Sequence, residues 1–97
     1  MEIIDLPRSY GKTEIAIRRA HETGCPIIVA TADRKCCIKR RIKEKGYKDI
    51  DVYTVSEWLH KGSYKQYKYI IIDELDSILY LLLNATVEMV TLTSKGY

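Results

Sequence analysis

Short apolar runs alternate with helix-forming segments along the whole chain, and this alternation constrains the fold more than any other feature of the sequence. The apolar runs that we interpret as strands are residues 2–6, 26–30, 51–54, 69–73 and 87–92. Strands that alternate with helices are typical of βαβ units, which form a parallel sheet with helices on both faces. Ninety-seven residues are enough for one core and too few for two. We therefore expect a single domain over residues 1–97, with a three-layer α/β/α arrangement around a five-stranded, mainly parallel sheet.

The segments between these runs carry the signals of helix ends. A helix-forming run follows Gly11, and Asp33 is a candidate N-cap for a basic helix that stops near Gly46. Thr54 and Glu57 have the spacing of a capping box, which predicts a short helix after the third strand. A fourth helix is predicted over the apolar run at 75–83, after the fourth strand.

Polar residues follow several of the predicted strands. In an open parallel sheet, ligands bind beyond the carboxyl ends of the strands, so these residues are expected to share one rim. They are Lys12, Thr31, Asp73, Glu74, Thr93 and Ser94.

The sequence Gly11-Lys12-Thr13 lies between the first strand and the first helix, as a phosphate-binding loop does. A helix N-terminus offers N–H groups to phosphate, the lysine adds charge, and the hydroxyl can bind Mg²⁺. The full pattern G-x-x-x-x-G-K-[ST] has glycine where this chain has Leu6. A strand–turn–helix with a surface lysine is the alternative, and the acids Asp73 and Glu74 after a later apolar strand weigh against it.

These motifs, in this order, resemble the first RecA-like domain of helicases and of phage terminase large subunits, which are P-loop NTPases. Residues 7–13 look like the terminase form of the phosphate loop, with an arginine four residues before the lysine. Residues 29–32 are similar to a segment that lies towards the nucleic-acid path. Residues 70–74 resemble the Walker B strand, and residues 91–94 resemble the motif that senses the γ-phosphate. The resemblance implies a minimal RecA-like P-loop NTPase fold in a small phage-type protein.

The resemblance also implies roles for the matching residues. Lys12 would contact the β- and γ-phosphates, and Glu74 would orient or polarise the attacking water, so these two are the predicted catalytic residues. Thr13 and Asp73 would hold Mg²⁺. The residues that would bind ATP or ADP are Arg8, Ser9, Tyr10, Gly11, Lys12 and Thr13, and the coupling residues are Thr93 and Ser94.

No arginine finger, second RecA-like domain or nuclease domain is identifiable in the sequence. An arginine finger contributes roughly 10³–10⁵ in kcat where one is used. We therefore expect ATP hydrolysis to be weak or dependent on a partner, in a role accessory to DNA packaging or to a helicase.

Basic residues crowd the predicted second helix. Candidates for contact with DNA or RNA are Arg34, Lys35, Lys39 and Arg40. The alternative is a solvated helix face. The net charge of +3 is too small to indicate nucleic-acid binding by itself.

The cysteine pattern and the length of the apolar runs argue against several classes of protein. The three cysteines have neither a disulfide framework nor a zinc spacing, so we expect no metal other than nucleotide-bound Mg²⁺. No secretory signal is recognisable, and the longest apolar run is far shorter than a membrane span. These features predict a soluble cytoplasmic protein without a membrane partner, located in the host cytoplasm if it is phage-encoded.

Three functions stay open at this point. The first is an ATP- or ADP-binding domain, the second a non-enzymatic interaction or inhibitor module derived from the same fold, and the third a nucleic-acid-binding accessory protein. The strands that cover the first strand in the related families are missing here, which would leave the apolar edge at residues 2–6 unpaired. We therefore expect a homodimer or a protein partner along residues 2–6.

Overall fold

The computed structural model describes residues 1–5, 11–47, 50–61 and 67–92. Helices and short strands alternate within these residues, and the molecule belongs to the α/β class. In chain order the elements are α1 (Lys12–Thr23), β1 (Ile27–Val29), α2 (Ala32–Glu44), β2 (Val52–Thr54), α3 (Val55–Lys61), β3 (Ile71–Ile72) and α4 (Leu75–Leu83). The three strands form one parallel sheet in the order β2-β1-β3.

The central strand β1 is buried along its whole length, and its residues divide between two clusters of the core. Because successive side chains of a strand point to opposite faces, Ile28 faces away from Ile27 and Val29. Ile28 packs with residues of α3 and α4, namely Val55 and Ile78. Ile27 and Val29 pack with residues of α1, α2 and β2, which are Ile17, Ala20, Ile38, Ile42 and Val52. The helical spacing of Ile38 and Ile42 places both on the face of α2 that meets the sheet.

The sequence located the helices well and one of their caps wrongly. Thr54 Oγ1 accepts a hydrogen bond from the N–H of Glu57, and Glu57 Oε1 accepts one from the N–H of Thr54, so the predicted capping box is confirmed. The N-cap of α2 is Thr31, whose hydroxyl accepts from the N–H of Arg34 at 3.2 Å. Asp33 instead lies within the first turn of α2, where its carboxylate interacts favourably with the helix dipole.

The prediction of a five-stranded, three-layer sheet is wrong, because residues 2–5 and 87–92 form no strand. Leu6 lies outside the described residues. The Glu2 carboxylate binds Arg19 of α1 at 2.5 Å, and both apolar segments keep large side chains in solvent, such as Ile3 and Met89. Strand propensity describes how well a residue fits a half-buried pleated surface. These segments have the propensity, but the described elements leave most of their side chains exposed.

The pairing between β1 and β3 runs to the end of the sheet that carries Asp73. β3, the candidate Walker B strand, pairs directly with β1, the strand that follows α1 in the chain. The N–H of Asp73 extends this pairing by donating to the carbonyl of Ile28 at 3.1 Å.

The helix α4 leaves much of its apolar surface exposed. Ile78 is its buried residue, whereas Leu81, Leu82 and Leu83 are each more than half exposed. Within the described segments, no helix is long and apolar enough to cross a membrane.

Candidate functional site

Among the described residues, no side chain caps the first turn of α1. Gly11, which precedes it, has φ 80° and ψ 22°, a left-handed conformation that glycine adopts without a Cβ clash. The Ile15 N–H donates to the Gly11 carbonyl at 3.0 Å, so the helix begins here as predicted. Gly11 has no side chain to cap the first turn, and the first N–H groups of a helix have no partner within it. Such a helix end binds phosphate or carboxylate groups.

The two predicted catalytic residues lie together at this helix end. Lys12 Nζ is 3.4 Å from Glu74 Oε1, and about a quarter of each side chain is exposed. Glu74 has φ 63° and forms the N-cap of α4. A left-handed conformation is uncommon for a residue with a Cβ, and such outliers cluster at functional sites.

The two predicted magnesium ligands are also brought together, and both are buried. Only 6% of Thr13 and 4% of Asp73 is exposed. Arg34 Nη2 donates to Thr13 Oγ1 at 2.5 Å and to Asp73 Oδ2 at 3.1 Å. A hydroxyl from α1 and a carboxylate that directly follows β3 therefore converge on one nitrogen atom.

Arg34 is the site residue that the sequence placed elsewhere. We expected it to contact nucleic acid, but its guanidinium points into the rim between α1 and β3. The same rule that placed Thr31 at this rim could have found it, because Arg34 lies in the first turn of α2, directly after β1. We assigned Arg34 to a nucleic-acid surface because its neighbours in the sequence are also basic.

The other candidates for nucleic-acid contact divide into two groups. Lys35 Nζ pairs with Glu57 Oε1 at 2.7 Å, and this pair links α2 to α3. Lys39 and Arg40 lie exposed on α2. The predicted basic surface is thus reduced from four side chains to two, because Arg34 and Lys35 serve contacts within the molecule.

The charges of the site balance in pairs. Lys12 faces Glu74, and Arg34 faces Asp73. Among the described residues there is no group of three or more His, Cys, Asp or Glu side chains that could hold a metal ion. One carboxylate and one hydroxyl are nevertheless a fitting protein contribution for Mg²⁺, which usually keeps several waters and takes its other ligands from a bound phosphate.

An open groove of about 450 Å³ lies along the same rim. Its walls include Ala30 and Thr31, which follow β1, and Asp76 and Ser77, which begin α4. The exposed ring of Tyr80 also lines it. The described residues that line the groove follow β1 or belong to α4 and the segment after it.

Several predicted site residues lie outside the described residues. They are Arg8, Ser9 and Tyr10 of the loop, and Thr93 and Ser94 of the coupling motif.

Comparisons of this chain with protein-family models, with curated proteins and with solved structures found no match. The function therefore has to be argued from the chemistry of the site rather than from the fold.

Proposed function

We propose that this chain binds ATP or ADP together with Mg²⁺ and hydrolyses ATP weakly or only with a partner. The observation that carries the proposal is the convergence of Thr13 Oγ1 and Asp73 Oδ2 on one Arg34 nitrogen. Separate motifs predicted these two oxygens as magnesium ligands. Their common position is one where a single cation can touch both.

The residues around Thr13 and Asp73 favour the binding of phosphate. The first turn of α1, which no described side chain caps, and the Lys12 ammonium both favour an anion. A partly exposed ion pair contributes only about 0–1 kcal/mol, so phosphate can draw Lys12 away from Glu74 at little cost. Glu74 is then free to orient or polarise a water molecule.

Binding is tested by titration of the protein with a fluorescent ATP analogue, with and without Mg²⁺. Lys12→Ala should weaken binding roughly ten- to hundredfold, as expected for the loss of one charged hydrogen bond. Lys43→Ala, which removes an exposed lysine of α2, is the matched control and should bind like the wild type. Both variants should keep the unfolding midpoint of the wild type, because neither lysine belongs to the core.

Nucleotide binding by the wild-type protein distinguishes the nucleotide-binding function from the non-enzymatic one. If it shows no measurable binding at millimolar nucleotide, the proposal is refuted, and the non-enzymatic interaction or inhibitor module becomes the better reading.

Hydrolysis is tested with Glu74→Gln, which should retain the nucleotide while it loses turnover. Glu22→Gln on the exposed face of α1 is the matched control. Fast hydrolysis by a demonstrated monomer would contradict the dependence on a partner.

The partner itself is inferred from exposed apolar side chains. Residues 2–5 form no strand, so the unpaired strand from which we expected a partner along residues 2–6 is not formed. Leu82 and Leu83 on α4, and Met89 beyond it, are each more than half exposed. Large exposed apolar surfaces mark interaction sites. A role accessory to DNA packaging or to a helicase rests on the sequence resemblance alone.

A further inference from the structure

We infer that the Arg34 guanidinium holds the metal position of the nucleotide-free protein and is exchanged for Mg²⁺ when nucleotide binds. The inference rests on the proposed function for the identity of the ligand. The exchange of one cation for the other can be measured without nucleotide.

The Arg34 guanidinium lies where a Mg²⁺ ion bound to Thr13 and Asp73 would have to lie. Arg34 Nη2 lies 2.5 Å from Thr13 Oγ1 and 3.1 Å from Asp73 Oδ2. Mg²⁺ binds oxygen at roughly 2.0–2.1 Å, so an ion bound to the same two oxygens would fill the gap that Nη2 fills now. Arginine and Mg²⁺ cannot occupy that gap together.

The burial of Asp73 explains why a cation is needed there at all times. Only 4% of its side chain is exposed, and a carboxylate removed from water requires a positive partner. Among the described residues, Arg34 is the cation within ion-pair distance of Asp73. It stabilises the site until a metal takes over that role.

Two features of Arg34 make it easy for a metal ion to displace its guanidinium from Thr13 and Asp73. Its Nε–H is buried without a hydrogen-bond partner among the described residues, which is unfavourable and lowers the cost of leaving. A third of its side chain is exposed, so the guanidinium has a way out. Its backbone stays in place, because its N–H is held by the Thr31 cap.

The displaced guanidinium has a natural acceptor in the ligand. Its planar fork of N–H groups matches phosphate oxygens in a bidentate manner. Metal and phosphate should therefore bind cooperatively, since the metal releases Arg34 and the phosphate receives it. Free Mg²⁺ should bind weakly, because no phosphate is present to receive the arginine.

The central experiment titrates the full chain with Mg²⁺ alone, followed by calorimetry. Arg34→Met keeps the apolar stem and removes the competing cation, so it should bind Mg²⁺ roughly ten- to hundredfold more tightly than the wild type. Arg18→Met removes an exposed arginine of α1 and should bind like the wild type, which controls for net charge. Addition of Asp73→Asn to Arg34→Met should abolish the gain. Equal Mg²⁺ affinity in Arg34→Met and the wild type would overturn the inference.

A second measurement uses the wild type and does not depend on the folding of a variant. The Arg34 Nε–H is buried and should exchange slowly with water in the NMR spectrum of the metal-free protein. Addition of Mg²⁺ should accelerate that exchange as the Asp73 amide signal shifts. A shift of the Asp73 signal with an unchanged Arg34 Nε–H would show metal binding without exchange and would overturn the inference. A gain of Mg²⁺ affinity in Arg34→Met without any nucleotide binding by the wild type would support the exchange and refute the proposed function.

Discussion

A matched pair of valine substitutions measures how far the sheet extends. Val29 lies in β1 and is fully buried, whereas Val90, within the segment that the sequence predicted as a fifth strand, is 52% exposed. Val→Ala removes the same two carbons at both positions. At Val29 the lost transfer free energy is about 1.6 kcal/mol at about 0.8 kcal/mol per buried carbon, and the cavity raises the total to about 2–3 kcal/mol.

The expected effect at Val90 is much smaller. About half of its transfer free energy is at stake and no cavity forms, so the loss should stay below about 0.8 kcal/mol. In a domain of this size, 1 kcal/mol corresponds to roughly 4–8 °C. Val29→Ala should therefore lower Tm by roughly 10–20 °C, and Val90→Ala by no more than about 6 °C.

Urea unfolding followed by circular dichroism and by the fluorescence of Trp58, the single tryptophan, provides the assay. Coincident transitions from the two probes would justify a two-state free energy of unfolding. If Val90→Ala destabilised the protein as much as Val29→Ala does, residues 87–92 would have to be buried like a core strand. That result would refute the three-stranded sheet.

Two further predictions concern the backbone at the site and the response to pH. Gly11→Ala and Gly24→Ala should each lower the free energy of unfolding by about 1–2 kcal/mol, because both residues have positive φ, where a Cβ is strained. No described atom lies within 4 Å of either new Cβ, so no clash adds to this cost. Only Gly11→Ala should also weaken binding of the ATP analogue, and unchanged binding would separate Gly11 from the site. The hydrogen bond from the Tyr67 hydroxyl to Asp51, followed by burial, raises the pKa of Tyr67. An unfolded tyrosine titrates near 10, so the stability that this group contributes is complete below about pH 10 and is lost as the pH rises above it. The urea midpoint should fall less steeply above about pH 10 in Tyr67→Phe than in the wild type, and equal slopes would contradict the assignment.

The grouping of the described candidate residues at one rim was more predictable from the sequence than the sheet was. Lys12, Thr13, Asp73 and Glu74 each follow an apolar run or open a helix, and the parallel arrangement brings such positions to one rim. For Asp73 and Glu74 this inference depends only on the direction of β3. Lys12 and Thr13 lie at the rim because α1 begins there, although residues 2–5 form no strand before it.

The prediction of the two outer strands was wrong because it used strand propensity and took no account of whether other elements would bury these segments. Residues 2–5 and 87–92 have the apolar, β-branched composition of strands, yet β3 is only two residues long and offers little edge to pair with. Arg34 was misplaced for a related reason. A local run of positive charge suggests a surface, but the partner that turns Arg34 inward, Asp73, lies far along the chain.

The position of β1 in the middle of the sheet sets the order in which the molecule can be assembled. Both of its neighbours come later in the chain, and each ladder closes only after a helix-containing crossover has given up its conformational freedom. Folding can begin with α1, β1, α2 and β2, which already bury most of the larger cluster. Asp73 and Glu74 arrive only when β3 docks. The larger cluster can thus form before the rim that joins Lys12 to Glu74, because Glu74 follows the last strand of the sheet in the chain.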